Sequence, residues 1–477
     1  MSIHIAIIGG GPAGYVAALH ARDLGAEVTL ITGNDLGGTC LWRGCIPTKT
    51  LVASSKVLMQ ARRADQFGLK LEGRIEPDWQ AMKDRAGRIV ENSAKGIEAL
   101  LRNRGVQLIA EDACFVEGGR LTTTSTVVSA DRYLLCTGSK PFVPRGIELD
   151  GKQVGSSDDV LNWSSLPKSV LIIGGGVIAC EFAFILNALG TQVTLVERLA
   201  GPLPGEDRDV QQLILREMKK RKIRFIAGTS IERLDTGGEL VRCFSKGECL
   251  VEAERVVVAV GRKPNTFGLG LENLAIALGE RGEVAVDEHM MTTVPGVYAA
   301  GDVAGGLMLA HNASFQGRVA VNHMLGVVPD SVRGQQIPRV TFTDPEVASI
   351  GLTEQAARDL DIEVAAGRFD LRSLGMAQAL GELAGFAKVV VDRKTGVIVG
   401  IHIVGAHASE MINEASVLLN QEARVSVLAH AVHAHPTLSE ALVEAAEAAL
   451  GQAIHQLQPV SKPTREPHNE PRQLSVS

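Results

Sequence analysis

Ile5-Ala6-Ile7-Ile8-Gly9-Gly10-Gly11-Pro12-Ala13-Gly14 settles the architecture of this chain. A short β-branched run, Ser2 to Ile8, meets the glycines, an alanine-rich helix then lasts to Gly25, and Val28 to Ile31 reads as the next strand. This order of strand, glycine turn, helix and strand lets the amides at a helix N-terminus approach a pyrophosphate. A single GxGxxG carries little weight, but the chain repeats the pattern. Pro167-Lys168 lead into a strand at Ser169 to Ile173, then Gly174-Gly175-Gly176-Val177-Ile178-Ala179, a helix, and a strand at Val193 to Glu197. Two such units in one chain point to two dinucleotide sites.

Just after the first unit stands Gly37-Gly38-Thr39-Cys40-Leu41-Trp42-Arg43-Gly44-Cys45-Ile46-Pro47-Thr48-Lys49, two cysteines five apart at the opening of a helix. The pair reads as redox-active. On a regular helix five residues rise about 7.5 Å, beyond the roughly 7 Å that a disulfide spans between alpha carbons, so the helix start is expected to be distorted. Gly44 supplies backbone freedom, Pro47 suits a first helical turn, and free amides there lower the pKa of a nearby thiol.

The composition narrows the partners. A chain of 477 residues has room for about three domains. With 45% hydrophobic residues, 21% charged residues and 51 glycines it reads as α/β with many tight turns. A formal charge of -6 without a lysine and arginine run implies neither a nucleic-acid nor a membrane partner. Met1 to Gly9 reads as a buried strand rather than a leader, and no apolar stretch reaches spanning length, so the expected location is cytoplasmic. Cys114, Cys136, Cys180, Cys243 and Cys249 lack metal-ligand spacing and are expected to be packing residues; no metal site is expected.

Between the two units, Pro77 to Asn103 has helical periodicity, with Trp79, Met82, Ile89, Ile97 and Leu100 as inward candidates. Tyr133 to Thr137, Arg255 to Val260 and Val297 to Ala300 read as strands ending in Gly138, Gly261 and Gly301-Asp302. After Pro338 come the strands Phe386 to Val391 and Val397 to Val404, then helices at Ser409 to Asn420 and Leu438 to Gly451, which indicates a separate domain. The residues beyond Leu457 hold little apolar surface and are expected to be flexible.

Two dinucleotide units, a CxxxxC pair, Gly301-Asp302 and a late His433-Ala434-His435-Pro436-Thr437-Leu438-Ser439-Glu440 together resemble the FAD-dependent pyridine nucleotide-disulfide oxidoreductases, over nearly the whole chain to about Ala453. The resemblance implies an α/β chain with two Rossmann-like dinucleotide-binding domains of glutathione-reductase-like type and a C-terminal α+β dimerisation domain. Its expected divisions are 1–150 (FAD, first part), 151–270 (NAD), 271–337 (FAD, central part), 338–457 (interface) and 458–477 (tail). For FAD the resemblance implies Gly9, Gly11, Gly14, Thr32, Gly38, Thr39, Lys49, Ala113, Gly138, Asp302, Ala310 and His311. For NAD it implies Gly174, Gly176, Val177, Ile178, Ala179, Glu197 and Gly261. Glu197 sits where the fingerprint needs an acid for a ribose 2′-hydroxyl, which favours NAD over NADP although Arg198 follows it. Glu181 matches the acid that pairs with Lys49 beside the flavin.

The implied chemistry runs through a disulfide. His435, oriented by Glu440, takes a proton from a substrate dithiol, which attacks Cys40 of a Cys40-Cys45 disulfide; Cys45 faces FAD, and the electrons end on NAD. Within the family the histidine and glutamate serve the partner subunit, so a homodimer is implied. The substrate of the nearest match is dihydrolipoamide carried by a lipoylated protein in trans. A related reductase with a different dithiol or disulfide substrate is the rival reading, but the tail has no cysteine pair of the mercuric type, and Glu197 disfavours a 2′-phosphate. A mainly scaffolding role in an assembly and a diaphorase that does not need the disulfide also stay open. Two departures from the pattern stand out. Thr32 replaces the usual strand-end acid, with Asn34 or Asp35 as substitutes, and Trp42-Arg43 lie between the cysteines. Arg43 is expected to bias a thiol toward thiolate and Trp42 to narrow or reshape access.

Overall fold

The structure is a computed structural model and describes residues 2–33, 35–327, 331–332 and 334–456. The expected flexible tail from 458 onward therefore lies outside the described residues. The first unit forms as the sequence indicates. Strand β1 (His4–Ile8) leads through the glycines into helix α1 (Pro12–Asp23) and returns as strand β2 (Glu27–Ile31). Isoleucines and leucines on both faces suit a strand covered on both sides, and Ile5, Ile7 and Leu30 are wholly buried. Burial of one such side chain contributes about 1.5–3 kcal/mol.

Redox helix α2 (Gly38–Trp42) is separated from α3 (Cys45–Arg62) by Arg43 and Gly44. The expected distortion is this break, where Gly44 adopts φ -120° and ψ -106°. Helix α4 (Trp79–Asn103) starts two residues later than the periodicity suggests, where the Asp78 side chain accepts the Ala81 N–H. Its inward face is corrected too. Leu100 is 48% exposed and Leu101 is the buried neighbour, with Trp79, Ala86 and Val90. Helical periodicity admits either leucine, and only packing against α1 and the strand that follows, β3 (Gln107–Ile109), chooses between them.

The first sheet is parallel throughout, in the order Val297–Ala299, Arg132–Leu135, β1, β2, β3. Its central register sets Ile8 beside both Ile31 and Leu135. A second parallel sheet repeats the plan, with Ser169–Ile173 at its centre, Gln192–Val196 and Arg224–Ile226 on one side, and Arg255–Val258 and Val154–Ser156 on the other. In both sheets the strand order switches direction beside the glycine strand, the crevice where open parallel sheets bind ligands. The third sheet is antiparallel, in the order Arg339–Thr341, Glu346–Gly351, Ile398–Gly405, Phe386–Asp392, Val364–Asp370.

Helices Ala408–Asn420 and Glu440–Ala449 cover the third sheet. The second of these starts at Glu440, two residues after the expected Leu438. Two devices join the domains. Val347, Phe386 and Val404 of the third sheet enter the core of the second unit, and the ribbon Ser139–Pro141 with Arg262–Pro264 connects the first two units. Cys136, Cys180 and Cys243 are buried packing residues, and burial pushes each thiol up. Cys114 is half-buried; Cys249 is exposed, which corrects its expected packing role.

Candidate active site

The carboxyl ends of the first sheet, the break between α2 and α3, and the connecting ribbon enclose one cleft of about 1050 Å³. Steric exclusion keeps its floor bare. A Cβ on Gly9 would come within 2.2 Å of the Cys136 carbonyl, and one on Gly14 within 1.8 Å of the Gly9 carbonyl. With no side chain between, the free first-turn amides of α1 face the cleft, and Gly11 caps the helix without a side-chain bond. The donor set fits a pyrophosphate. Gly9, Gly11, Thr32, Gly38, Thr39, Lys49, Ala113, Gly138, Asp302, Ala310 and His311 all line this cleft; Gly14 lies beneath them. Ala310 and His311 open the helix Ala310–Met324, and the His311 ring contacts the Pro338 carbonyl at 2.8 Å.

Cys40 lies within α2, and Cys45 is the first residue of α3. They stand as a dithiol whose members differ in acidity. The neighbouring Cys40 thiol and the Lys49 ammonium outweigh burial and bring Cys45 down to about 7. The neighbouring Cys45 and burial push the Cys40 thiol well up. Lys49 follows Cys45 by one turn and grips Glu181 at 3.0 and 2.9 Å. Glu181 also accepts the Phe342 N–H at 2.9 Å, and Lys49 stands 4.7 Å from the centre of the Phe342 ring. An ion pair removed from water needs such extra bonds to hold.

Asp302 belongs to a chain of contacts with no signature in the sequence. It accepts the Ser139 hydroxyl at 2.5 Å, and that oxygen accepts Arg262 Nε–H at 2.7 Å. Asp158 follows: burial pushes its carboxyl up, against the pull of Arg262 and Arg43. Arg43 reaches Asp158 at 3.9 Å and Asp35 at 2.5 Å. Among the leading causes of the two thiol shifts the cation is Lys49, while the Arg43 guanidinium is engaged by Asp35 and Asp158. Trp42 stands outside the walls of the cleft, and its indole N–H donates to the Leu36 carbonyl at 2.8 Å. Asn34 lies outside the described residues.

In the second unit Gly174 adopts φ +119°, with a Cβ excluded by the Ala259 carbonyl at 2.3 Å; Gly176 caps the helix Val177–Ala188, and Ala179 is buried. Val177 and Ile178 reach the common cleft, whereas Gly174, Gly176, Ala179, Glu197 and Gly261 stand outside its walls. Glu197 accepts the N–H groups of Gly175 at 2.6 Å and Leu199 at 2.7 Å, which fixes a carboxylate at the strand end. Arg198 is exposed.

His435 and Glu440 are paired as expected, Nδ1 to Oε1 at 2.9 Å. Burial pushes the Glu440 carboxyl up, but the Thr437 N–H and the His435 ring hold it below the usual range. The imidazole side chain is 80% exposed and lies outside the cleft that holds the thiols. One chain thus keeps its base and its sulfurs apart. His433 Nε2 bonds the Glu414 carboxylate at 3.0 Å. Among the described residues no cluster of His, Cys, Asp and Glu is arranged to hold a metal.

Residues 3–317 match the family model described as pyridine nucleotide-disulphide oxidoreductase, and residues 337–446 match its dimerisation domain. A dihydrolipoyl dehydrogenase of Bacillus subtilis is 36% identical over 469 residues, covering 94% of this chain and 98% of the relative. Dihydrolipoyl dehydrogenase 2 of Haloarcula marismortui is 37% identical, covering 94% and 97%. Among solved structures, LpdA from Mycobacterium tuberculosis aligns with a TM-score of 0.88 at 30% identity over 93% of this chain and 99% of that one. The HOCl-induced flavoprotein disulfide reductase RclA of Escherichia coli aligns at 0.84 with 28% identity, covering 93% and 99%.

Proposed function

Because the chain belongs to the pyridine nucleotide-disulphide oxidoreductase family, we propose that it is a dihydrolipoyl dehydrogenase, oxidising a protein-bound dihydrolipoyl group with NAD. The observation that carries this reading is the placing of the thiol pair: Cys40 and Cys45 flank the break between α2 and α3 on the wall of the nucleotide cleft, with Cys45 one turn before Lys49 and its Glu181 partner. Such a pair has one sulfur for exchange with substrate and one that persists as thiolate. FAD, when bound along the first glycine loop, supplies two-electron transfer between this pair and NAD.

The residues divide the work. In the oxidised pair, a substrate thiolate attacks Cys40 Sγ; the Cys40–Cys45 bond breaks and its electron pair stays on Cys45, stabilised by Lys49. The second substrate thiolate then displaces Cys40, closing the substrate disulfide and leaving both cysteines reduced. His435 accepts the proton released by the substrate at Nε2, since Nδ1–H is committed to Glu440. Glu181 and the Phe342 N–H keep Lys49 in place. Glu197 takes the NAD ribose hydroxyls.

An exposed base lying outside the thiol cleft, in a region matching a dimerisation domain, supports a homodimer in which His435 and Glu440 of one protomer serve Cys40 of the other. The lipoylated protein comes in trans. We place the divisions at 1–150, 151–270, 271–337 and 338–457, in line with the three large sheets, and the enzyme in the cytoplasm; no helix among the described residues is long and apolar enough to cross a membrane. The test is NAD reduction by FAD-loaded protein with dihydrolipoamide, beside NADPH-dependent reduction of glutathione disulfide. Fast turnover in the first alone supports the proposal, whereas turnover in the second alone assigns the chain to another disulfide substrate.

A further inference from the structure

The two unusual residues of the redox loop turn their polar atoms toward one short segment after β2. Trp42 Nε1–H donates to the Leu36 carbonyl at 2.8 Å, and Arg43 Nη2 reaches Asp35 Oδ2 at 2.5 Å. The segment is fastened from its other side by Gly37 N–H to the Gly10 carbonyl at 2.8 Å and Gly38 N–H to the Asp35 carbonyl at 2.7 Å. An ion pair as exposed as Arg43–Asp35 contributes little alone, so it acts together with the indole bond and the two backbone bonds to fix the turn.

This turn lies where the first unit lacks its acid. In the second unit a Cβ on Gly175 would lie 2.9 Å from Glu197 Cγ; in the first a Cβ on Gly10 would lie 2.0 Å from Thr32 Oγ1. Middle glycine and strand-end residue face each other in both units, so Thr32 occupies the place of Glu197 with one hydroxyl and no charge. A ribose diol is held best by a charged acceptor. Asp35 lines the cleft together with Thr32 and Gly33. With Oδ2 on Arg43, its Oδ1 keeps lone pairs for hydroxyl donors. Glu111 lines the cleft as well, but it follows β3, not the strand that ends at Thr32, and is held by Ser125 at 2.9 and 2.6 Å.

We propose that Asp35 is the carboxylate that takes the adenosine ribose hydroxyls of FAD in this chain, and that Trp42 and Arg43 are positioning residues that hold it there. The proposal rests on the reading of the first glycine loop as the FAD site. The redox loop then plays two parts, its ends carrying the sulfurs while its middle fastens the far end of the same cofactor.

The experiment measures the FAD dissociation constant by recovery of flavin fluorescence on dilution, with the Cys45 thiolate titration followed alongside. Asp35→Asn is expected to raise the constant about tenfold, and Trp42→Phe and Arg43→Met severalfold, with the thiolate titration unmoved by Arg43→Met. Adding Thr32→Glu to Asp35→Asn restores tight binding. Asp112, which also lines the cleft, is the control. An unmoved constant in Asp35→Asn, or a loss seen in Asp112→Asn instead, overturns the proposal while FAD binding itself persists. A wild-type protein that takes up no FAD overturns the FAD reading, and this inference with it.

Discussion

The two glycine units are built alike and finished differently. In each, the first glycine sits at positive φ, and a backbone carbonyl, Cys136 in one and Ala259 in the other, lies a little over 2 Å from where a Cβ would be. That contact sets the strand-to-helix turn. The finishing residues do not follow from it: Gly14 against Ala179, Thr32 against Glu197. The backbone geometry that receives a pyrophosphate is thus separable from the side chains that read the sugar. Only the first unit has a redox loop laid across it, with a Cβ on Gly38 excluded by Gly11 at 2.7 Å.

The largest expected effect separates chemistry from nucleotide binding. Cys45→Ser should lower dihydrolipoamide turnover by at least about 1000-fold, while NADH titration of the second unit keeps its affinity. Next in size is the glycine asymmetry. Gly14→Val drives atoms into the Gly9 carbonyl, already 1.8 Å from a Cβ, and should strip flavin from the purified protein; Ala179→Gly in the second unit should cost about 1 kcal/mol or less, read as Tm. Glu197→Ala should reduce kcat/KM for NAD by roughly 10- to 100-fold, the loss of a charged acceptor, and should leave flavin content alone.

The smallest effect is one of pH. Cys45 titrates at about 7, so its thiolate fraction and the rate that depends on it fall as pH drops through that value. Lys49→Met removes a cation that lowers Cys45, and the acid limb of the profile should move to higher pH. A limb that stays fixed would mean that the neighbouring Cys40 alone sets the thiolate.

Much of the fold and site is legible in the sequence because it is local. A glycine that cannot tolerate a side chain, a thiol opening a helix and a histidine five residues before its glutamate are all written in short windows. What escapes depends on distance along the chain. Ser139 and Asp302 are 163 positions apart, and Phe342 and Glu181 are 161 apart, so no window holds both partners. The contacts of Trp42 and Arg43 are hidden for a related reason: sequence places them beside the cysteines, while α2 ends at Trp42 and their polar atoms meet Leu36 and Asp35. Leu100 and Leu101 differ by a single helical step, too fine for periodicity alone.

The Glu181 carboxylate has a consequence for how the molecule comes into being. It is held by Lys49, near the start of the chain, and by the backbone of Phe342, made some 290 positions after Lys49. A nascent chain that has exposed both glycine units but not residue 342 already carries its sulfurs and its nucleotide floors, yet Glu181 lacks one of its clamps. The carboxylate that holds the lysine beside the thiolate thus gains its full set of partners only once residue 342 is in place.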